Sequence, residues 1–432
     1  MVYYPIPPPI VGLGAVAGLP FLPAPMGGAW PKNALPSLYM RPMTAAKLAV
    51  AVLKDIDPVG GLPLLNPGGL LNIFSSMYPP GPVSTLGILT AHPQFGTIPG
   101  NWIRIFSELV GAATSLAIAE QEENYPYCLS MQFCKEGAEP PHIGGTSAWP
   151  LVYTAAIQSD WHVTKIPPAA GVSAVAEMPD YVIAKQLAGG FFQFATLESK
   201  ARNIPVDTGT YSSYAKFKQQ ANNAVIAAKP GAPPPPVLSR KILSLIAVRP
   251  HLKRPDSRVL RCRWTNHRLG EGLEETSVSD RDGLRFVVSS TAVQLHNAGF
   301  RQFADALASC LLAAGSRNNQ DEDGERASNF VLHVSAAELG MREYSRGWLG
   351  INAGLPRVGD IVLSGYAFRM LTKLAAGIAV RDATREREHA RLLWRITRRQ
   401  RLRPEGVLLS GNTRYTVVMS ATGLGILSDS KS

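Results

Sequence analysis

The chain has 432 residues, 46% of them hydrophobic and only 17% charged, which excludes global disorder and leaves material for a sizeable core. A formal net charge of +11 fits an anionic partner, nucleic acid or an acidic membrane surface; the bland alternative is charge that serves solubility alone. Four cysteines, Cys128, Cys134, Cys262 and Cys310, are too few for a disulfide framework and read as reduced, mostly buried thiols in an intracellular setting.

The N-terminus is apolar, yet no Lys or Arg precedes Lys32, and seven prolines between Pro5 and Pro25 interrupt any helix there. A signal peptide needs the opposite, a basic start and an unbroken apolar helix. No uninterrupted apolar run reaches the roughly 18–20 residues of a membrane span. Residues 1–40 are therefore expected to form an extended Pro/Gly-rich arm, packed on its own domain or on a neighbouring subunit.

Thr44 predicts an N-cap for a helix that stops before Pro58, with Ala45, Leu48, Ala49, Val52 and Ile56 as its buried stripe. Residues 62–82 read as turn-rich, and 92–100 as a loop. A long helix is expected from a cap at Asn101 to about Glu123, burying Ile105, Leu109, Ala112, Ala113 and Leu116. Residues 147–157 are apolar. Residues 181–197 read as a helix broken at Gly189-Gly190, and 214–229 as an Ala-rich helix.

Four consecutive prolines end at Pro236. They fix φ, remove backbone donors and admit neither a helix nor a central strand. Before Val237 the chain carries 13 Lys+Arg and 13 Asp+Glu; from Val237 onward it carries 30 and 19. The expectation is an α+β protein, predominantly α in the first half. A neutral, helix-rich, shell-like domain (41–229) is followed by a Pro-rich linker (230–237) and a basic mixed α/β domain (238–432).

In that second half, strands are expected at 242–248, 259–264, 285–295, 329–335, 358–363 and 414–419. In the second of these, Leu260, Cys262 and Trp264 alternate with Arg261 and Arg263. Residues 298–314 read as an amphipathic helix ended by Gly315, 316–326 as a polar surface loop, and 366–400 as largely helical with a break near Gly377.

Nine arginines and three acids fall between Arg381 and Arg403. At helical spacing Arg387, Arg391, Arg395 and Arg398 share one face, with Arg399 beside them, while His389, Leu393 and Ile396 point toward a core. Guanidinium groups bind phosphate bidentately, so such a stripe suits a nucleic-acid backbone. The bland alternative is a solvated face on which Glu386 and Glu388 pair locally. A second basic cluster, from Arg240 and Lys241 through Arg261, Arg263 and Arg268, includes Trp264 and His267, which are able to stack on bases or to serve the core.

Other motifs carry no chemistry. Asn319-x-Asp321-x-Asp323-Gly324 matches half of an EF-hand loop, but Phe330 stands where the bidentate Glu is needed, so no metal is expected. Cys128 and Cys134 with His142 or His162 have poor zinc spacing. No nucleophile elbow, zincin helix or P-loop occurs. The expectation is a non-enzyme with no cofactor and no small-molecule substrate, although a dispersed active site would not be legible in one sequence.

Pro99-Gly100-Asn101-Trp102-Ile103-Arg104-Ile105-Phe106 resembles the Pro-Gly-Pro-Leu-x-x-x-Phe motif of partitivirus capsid proteins. Pro99, Gly100 and Phe106 match; Asn101 and Trp102 depart. Chain length, a neutral helix-rich half and a second unit after a Pro-rich joint are similar too. The resemblance implies a helical shell domain, a projecting domain and a dimer-based particle packaging double-stranded RNA. Gly347-Trp-Leu-Gly350 with Gly359-Asp360-Ile-Val362 resembles the C-terminal pattern of fungal heterokaryon-incompatibility proteins, whose N-terminal signature is not recognisable here. The expected function is a capsid or nucleocapsid protein of a fungal RNA virus. It self-assembles, encloses RNA in the virion or host cytoplasm, and has no membrane partner. The alternative is a cellular, sequence-independent nucleic-acid-binding protein.

Overall fold

Residues on either side of the Pro-rich joint contribute neighbouring strands to one sheet. In this computed structural model the described residues are 2–3, 43–55, 67–78, 92, 98–134, 161–166, 177–187, 192–202, 214–228, 238–247, 260–268, 280–315, 320–402 and 405–429. Strands are numbered in chain order. The first sheet holds β1 (Val2–Tyr3), β2 (Tyr127–Ser130), β4 (Tyr181–Gln186), β5 (Phe192–Arg202), β7 (Leu238–Ala247) and β8 (Leu260–Arg268) in the order β1-β8-β7-β5-β4-β2. A two-stranded sheet pairs β3 (Trp161–Thr164) with β6 (Val225–Ala228). The fold class is mixed α+β.

Helices cover both faces of the first sheet. α1 (Ala45–Val52) starts where expected: Thr44 Oγ1 accepts from Lys47 N at 3.2 Å. It is buried nearly all round, wider than the expected stripe. α2 (Pro67–Met77) occupies part of the stretch read as turns and buries Leu70, Leu71 and Phe74. α3 (Gly100–Gln121) packs on β5, β7 and α1. Its N-cap is Pro99, not Asn101. By length and composition α3 is apolar enough to cross a membrane, but it is a core helix here. The sheet is knitted to it by Ser115 Oγ, which lies 2.8 Å from both Ser199 Oγ on β5 and Ser244 Oγ on β7. α4 (Met131–Cys134) is a single turn. On the other face α5 (Tyr214–Asn222) packs on β5 and β7, and the chain then turns into β6 instead of remaining helical to 229.

Four expectations are corrected. Residues 181–197 form the antiparallel pair β4–β5, not a helix. Tyr, Val, Ile and Phe favour a pleated, half-buried surface, and Gly189-Gly190, where the break was expected, lies outside the described residues. Residues 285–295 are helical, within α6 (Asp280–Asn297). After α7 (Arg301–Gly315) comes α8 (Gln320–His333), whose end takes up most of the strand expected at 329–335. The stretch read as a loop at 316–326 also belongs largely to α8. β-branched runs such as Val287-Val288 are helical because burial on all sides overrides local propensity. Phe286 meets Phe194 edge-on at 5.1 Å, joining α6 to β5.

The second sheet is antiparallel and lies wholly in the C-terminal part. β9 (Arg342–Ser345), β10 (Trp348–Gly350), β11 (Ile361–Ser364), β12 (Glu405–Ser410), β13 (Thr413–Met419) and β14 (Leu424–Asp429) run in the order β12-β13-β14-β11-β10-β9. Its two edges return toward each other, and Trp348 Nε1 donates to Val407 O at 3.2 Å. Val362, Leu408, Val417 and Leu427 fill its interior. Gly359-Asp360 forms the turn before β11, with Asp360 accepting from Arg357 N at 2.9 Å.

α9 (Gly365–Ala379) and α10 (Ala383–Leu402) follow β11, and the break lies at 380–382, not at Gly377. Arg381 makes the bend in the left-handed region, at φ 53°. One continuous core runs from Met43 to Ile426. Buried Lys54 Nζ donates to Glu120, whose other oxygen accepts from Ala421 N, so α1, α3 and the β13–β14 turn are tied at one point. The two units expected on either side of 230–237 are thus interleaved in the sheet and in the core. The joint itself, residues 4–40 of the arm and the apolar stretch 147–157 lie outside the described residues. Val2–Tyr3 of the arm is extended and pairs in parallel with Leu260 and Arg261 of β8.

Candidate nucleic-acid interface

α10 begins at a capped turn and is held on its inner face. Asp382 Oδ1 accepts from Thr384 N at 3.1 Å. Ala390 and Leu393 are buried in the core, and the helix packs on α9 and α6. Two polar contacts fix its position. Gln186 Nε2, at the end of β4, donates to Ala390 O at 2.7 Å. Tyr127 Oη on β2 lies 2.9 Å from Thr397 Oγ1. Burial pushes the Tyr127 phenol far above its ordinary range, so it stays neutral.

The outer face is the arginine stripe. Arg387, Arg391, Arg395 and Arg398 are all exposed. At 1.5 Å per residue they span about 16 Å. Among the described residues none of Arg387, Arg391 and Arg395 takes part in an ion pair, and exposed Glu388 is not paired with them. Arg398 lies over the Trp394 ring, 5.3 Å from its centroid. Arg399 is placed in α10 by its backbone. Arg381, by contrast, is structural: its Nη2 donates to Ala314 O at 2.6 Å, and Arg285 Nη2 reaches the same carbonyl at 3.2 Å. Two guanidinium groups thereby satisfy the C-terminus of α7.

Arg261 and Arg263 are not brought to this stripe. They sit on β8, paired with Ala247 and Leu245 of β7. α10 contacts the β2–β4 side of the sheet, and β8 is three strand positions from β4, about 14 Å at roughly 4.8 Å per strand. The rest of the second cluster is partly structural. Arg240 Nη1 pairs with Glu123 Oε2 at 3.6 Å. Lys241 is buried, donates to Asn222 O at 2.7 Å, and is pushed down to about 8 by burial.

Sequence reasoning missed Trp394, Gln186 and Asn124. With Pro126, Thr397 and Arg398 they line a cleft of about 140 Å³ beside the stripe. Trp394 precedes Arg398 by four residues, so its neighbourhood was legible on a helical wheel; Gln186 and Asn124 arrive through tertiary structure alone. Elsewhere, Cys128, Cys134 and Cys310 are buried free thiols, and burial pushes Cys310 up to about 12. Among the described residues no group of three His, Cys, Asp or Glu is placed to hold a metal ion.

Comparison with family models, with curated proteins and with solved structures finds no match to this chain.

Proposed function

We propose that the protein is an RNA-binding structural protein, a self-assembling viral capsid or nucleocapsid subunit that holds the RNA backbone along the outer face of α10. One observation carries the RNA-binding part. Four arginines stand exposed in a row on a helix whose opposite face is locked into the core. A rigid rod of guanidinium groups is held ready for phosphate, and it reads no base sequence. The assembly part is supported by large apolar side chains left in solvent. Val407 and Leu409 are 45% and 60% exposed on one face of β12, and Trp102 is 57% exposed in the first turn of α3, within the capsid-like motif.

Replacing Arg387, Arg391, Arg395 and Arg398 by Gln keeps helix propensity nearly unchanged and removes four charges. Binding to all RNA sequences is expected to weaken alike. The slope of log K against log salt is expected to flatten by roughly 0.7–0.9 for each phosphate that is no longer neutralised. Circular dichroism checks the fold, because Arg stems also pack. A folded variant with the parent's affinity and slope overturns the reading. Sedimentation with RNA present tests the assembly part: uniform particles support a capsid, whereas discrete small oligomers support a cellular RNA-binding protein.

A further inference from the structure

β12 turns two large apolar side chains to solvent, and they stand between opposite charges. Side chains alternate along a strand, so Leu408 points into the interior of the second sheet while Glu405, Val407 and Leu409 share its outer face. On β13 Arg414 lies opposite Leu409, and Thr416 opposite Val407. Glu405 and Arg414 are exposed, and among the described residues neither takes part in an ion pair. Leu355 and Val358, 79% and 54% exposed in the connection before β11, lie at the Leu409 end of the same sheet: Tyr415 Oη donates to Pro356 O at 2.7 Å, and Gly359 N donates to Leu427 O at 2.8 Å. At Val407 the edge of β12 is not open to another strand, because the carbonyl accepts from Trp348 Nε1. The face, rather than the edge, is left for a partner.

We infer that this face docks on the same face of a second copy of the chain, a contact that rests on the assembly reading above. The occupant follows from charge and symmetry. Glu405 and Leu409 are four residues apart on one strand, about 14 Å at roughly 3.4 Å per residue. A two-fold axis over Val407 runs two β12 strands antiparallel, face to face, and exchanges their ends. Val407 then meets the partner's Val407, and Glu405 of each protomer comes within reach of the partner's Arg414, which lies opposite Leu409. One apolar centre and two ion pairs form. A parallel arrangement would instead set Glu405 against Glu405 and Arg414 against Arg414. RNA is not the occupant that this chemistry selects, because an aliphatic pair offers a phosphate nothing and Glu405 repels it. The apolar side chains are few beside the roughly 20–30 residues a side of a standard interface, so one such contact is weak and gains strength by repetition in an assembly.

The test is analytical ultracentrifugation of the full-length protein without RNA over a wide concentration range. The wild-type protein is expected to pass from monomer to dimer as concentration rises. Glu405→Arg and Arg414→Glu each place like charges at both ends of the contact. Each is expected to weaken dimerisation about tenfold, the scale of two exposed ion pairs lost. An equimolar mixture of the two variants is expected to recover about the wild-type affinity, because both pairs are then opposite in charge. Variants that dimerise like the wild-type protein, or a mixture no better than either variant alone, place association elsewhere and overturn this contact while the assembly reading stands. A wild-type protein that stays monomeric also overturns it and leaves the face to another segment of the chain or another protein; the assembly reading falls with it only if no particles form with RNA. Circular dichroism checks the fold of both variants. If either fails to fold, Leu409→Ser decides: it is expected to weaken dimerisation, and an unchanged affinity overturns the contact.

Discussion

At β5, two carboxyls and one ammonium lie together, Glu198 buried and Asp180 and Lys200 partly exposed. Glu198 is fully buried, with Lys200 Nζ 2.7 Å from its Oε1 and 3.6 Å from Asp180 Oδ1. Ser199 N donates to Asp180 Oδ2 at 2.8 Å. Burial, then the neighbouring Asp180 charge, pushes Glu198 up to about 8; burial raises Asp180 as well. Burial alone would lower Lys200, but the carboxylates outweigh it and its pKa is raised. An unfolded glutamate releases its proton near about 4.3. Between there and about 8 the folded chain holds more protons than the unfolded one, so this group's stabilisation is full at the acid end and is lost as pH rises. The melting temperature of the wild-type protein is expected to fall across that window, and that of Glu198→Gln to fall less. Parallel melting curves for the two proteins from pH 5 to pH 8.5 would sink the assignment.

At the scale of elements, α3 sits on β5 because both surfaces are small where they meet. A Cβ added at Gly111 would stand 2.6 Å from Ala201 Cβ. Gly111→Ala is expected to cost about 1–3 kcal/mol through overpacking. Adding Ala201→Gly should restore most of that loss, and chemical denaturation of the single and double variants measures it. A double variant no more stable than Gly111→Ala would place the strain elsewhere. The same packing shows what a sequence does and does not announce. α1, α3, α7 and the strands β7, β8, β11 and β13 were legible from caps and periodicity: Thr44 caps, and Leu109, Ala113 and Leu116 keep helical spacing. Residues 181–202 and 280–297 were not, because both segments are buried on more than one side and periodicity fades when every face is apolar. The short strands β9 and β10 carry too few residues to show a pattern. Of the candidate site, the arginine stripe was legible because it lies on one helix. The cleft was not, because Gln186 and Trp394 are separated by 208 positions and meet only in the fold.

For the whole molecule, the change of charge at Pro236 does not coincide with a break in the first sheet. β5 lies before the joint and β7 after it, and they pair in parallel over nine residues, from Phe194↔Leu238 to Arg202↔Ala247. A parallel pair requires a crossover connection, and α5, which lies between the two strands in sequence, packs on both of them. Ser115 of α3 bridges the same two strands from the other face. α10, far beyond the joint, is held by Tyr127 and Gln186 from before it. Separating the halves would expose a central sheet edge and the core that runs from Met43 to Ile426. Such an edge, with its row of unpaired amides and carbonyls, is not stable in isolation. A specific protease site inserted between Gly231 and Ala232 tests this. After cleavage, two fragments of roughly half size are expected on a denaturing gel, since the cut lies near mid-chain. In buffer they should elute together, with the melting temperature only modestly lowered, and part only in denaturant. Two folded fragments that separate in buffer would restore the two-domain division that the prolines and the charge suggested.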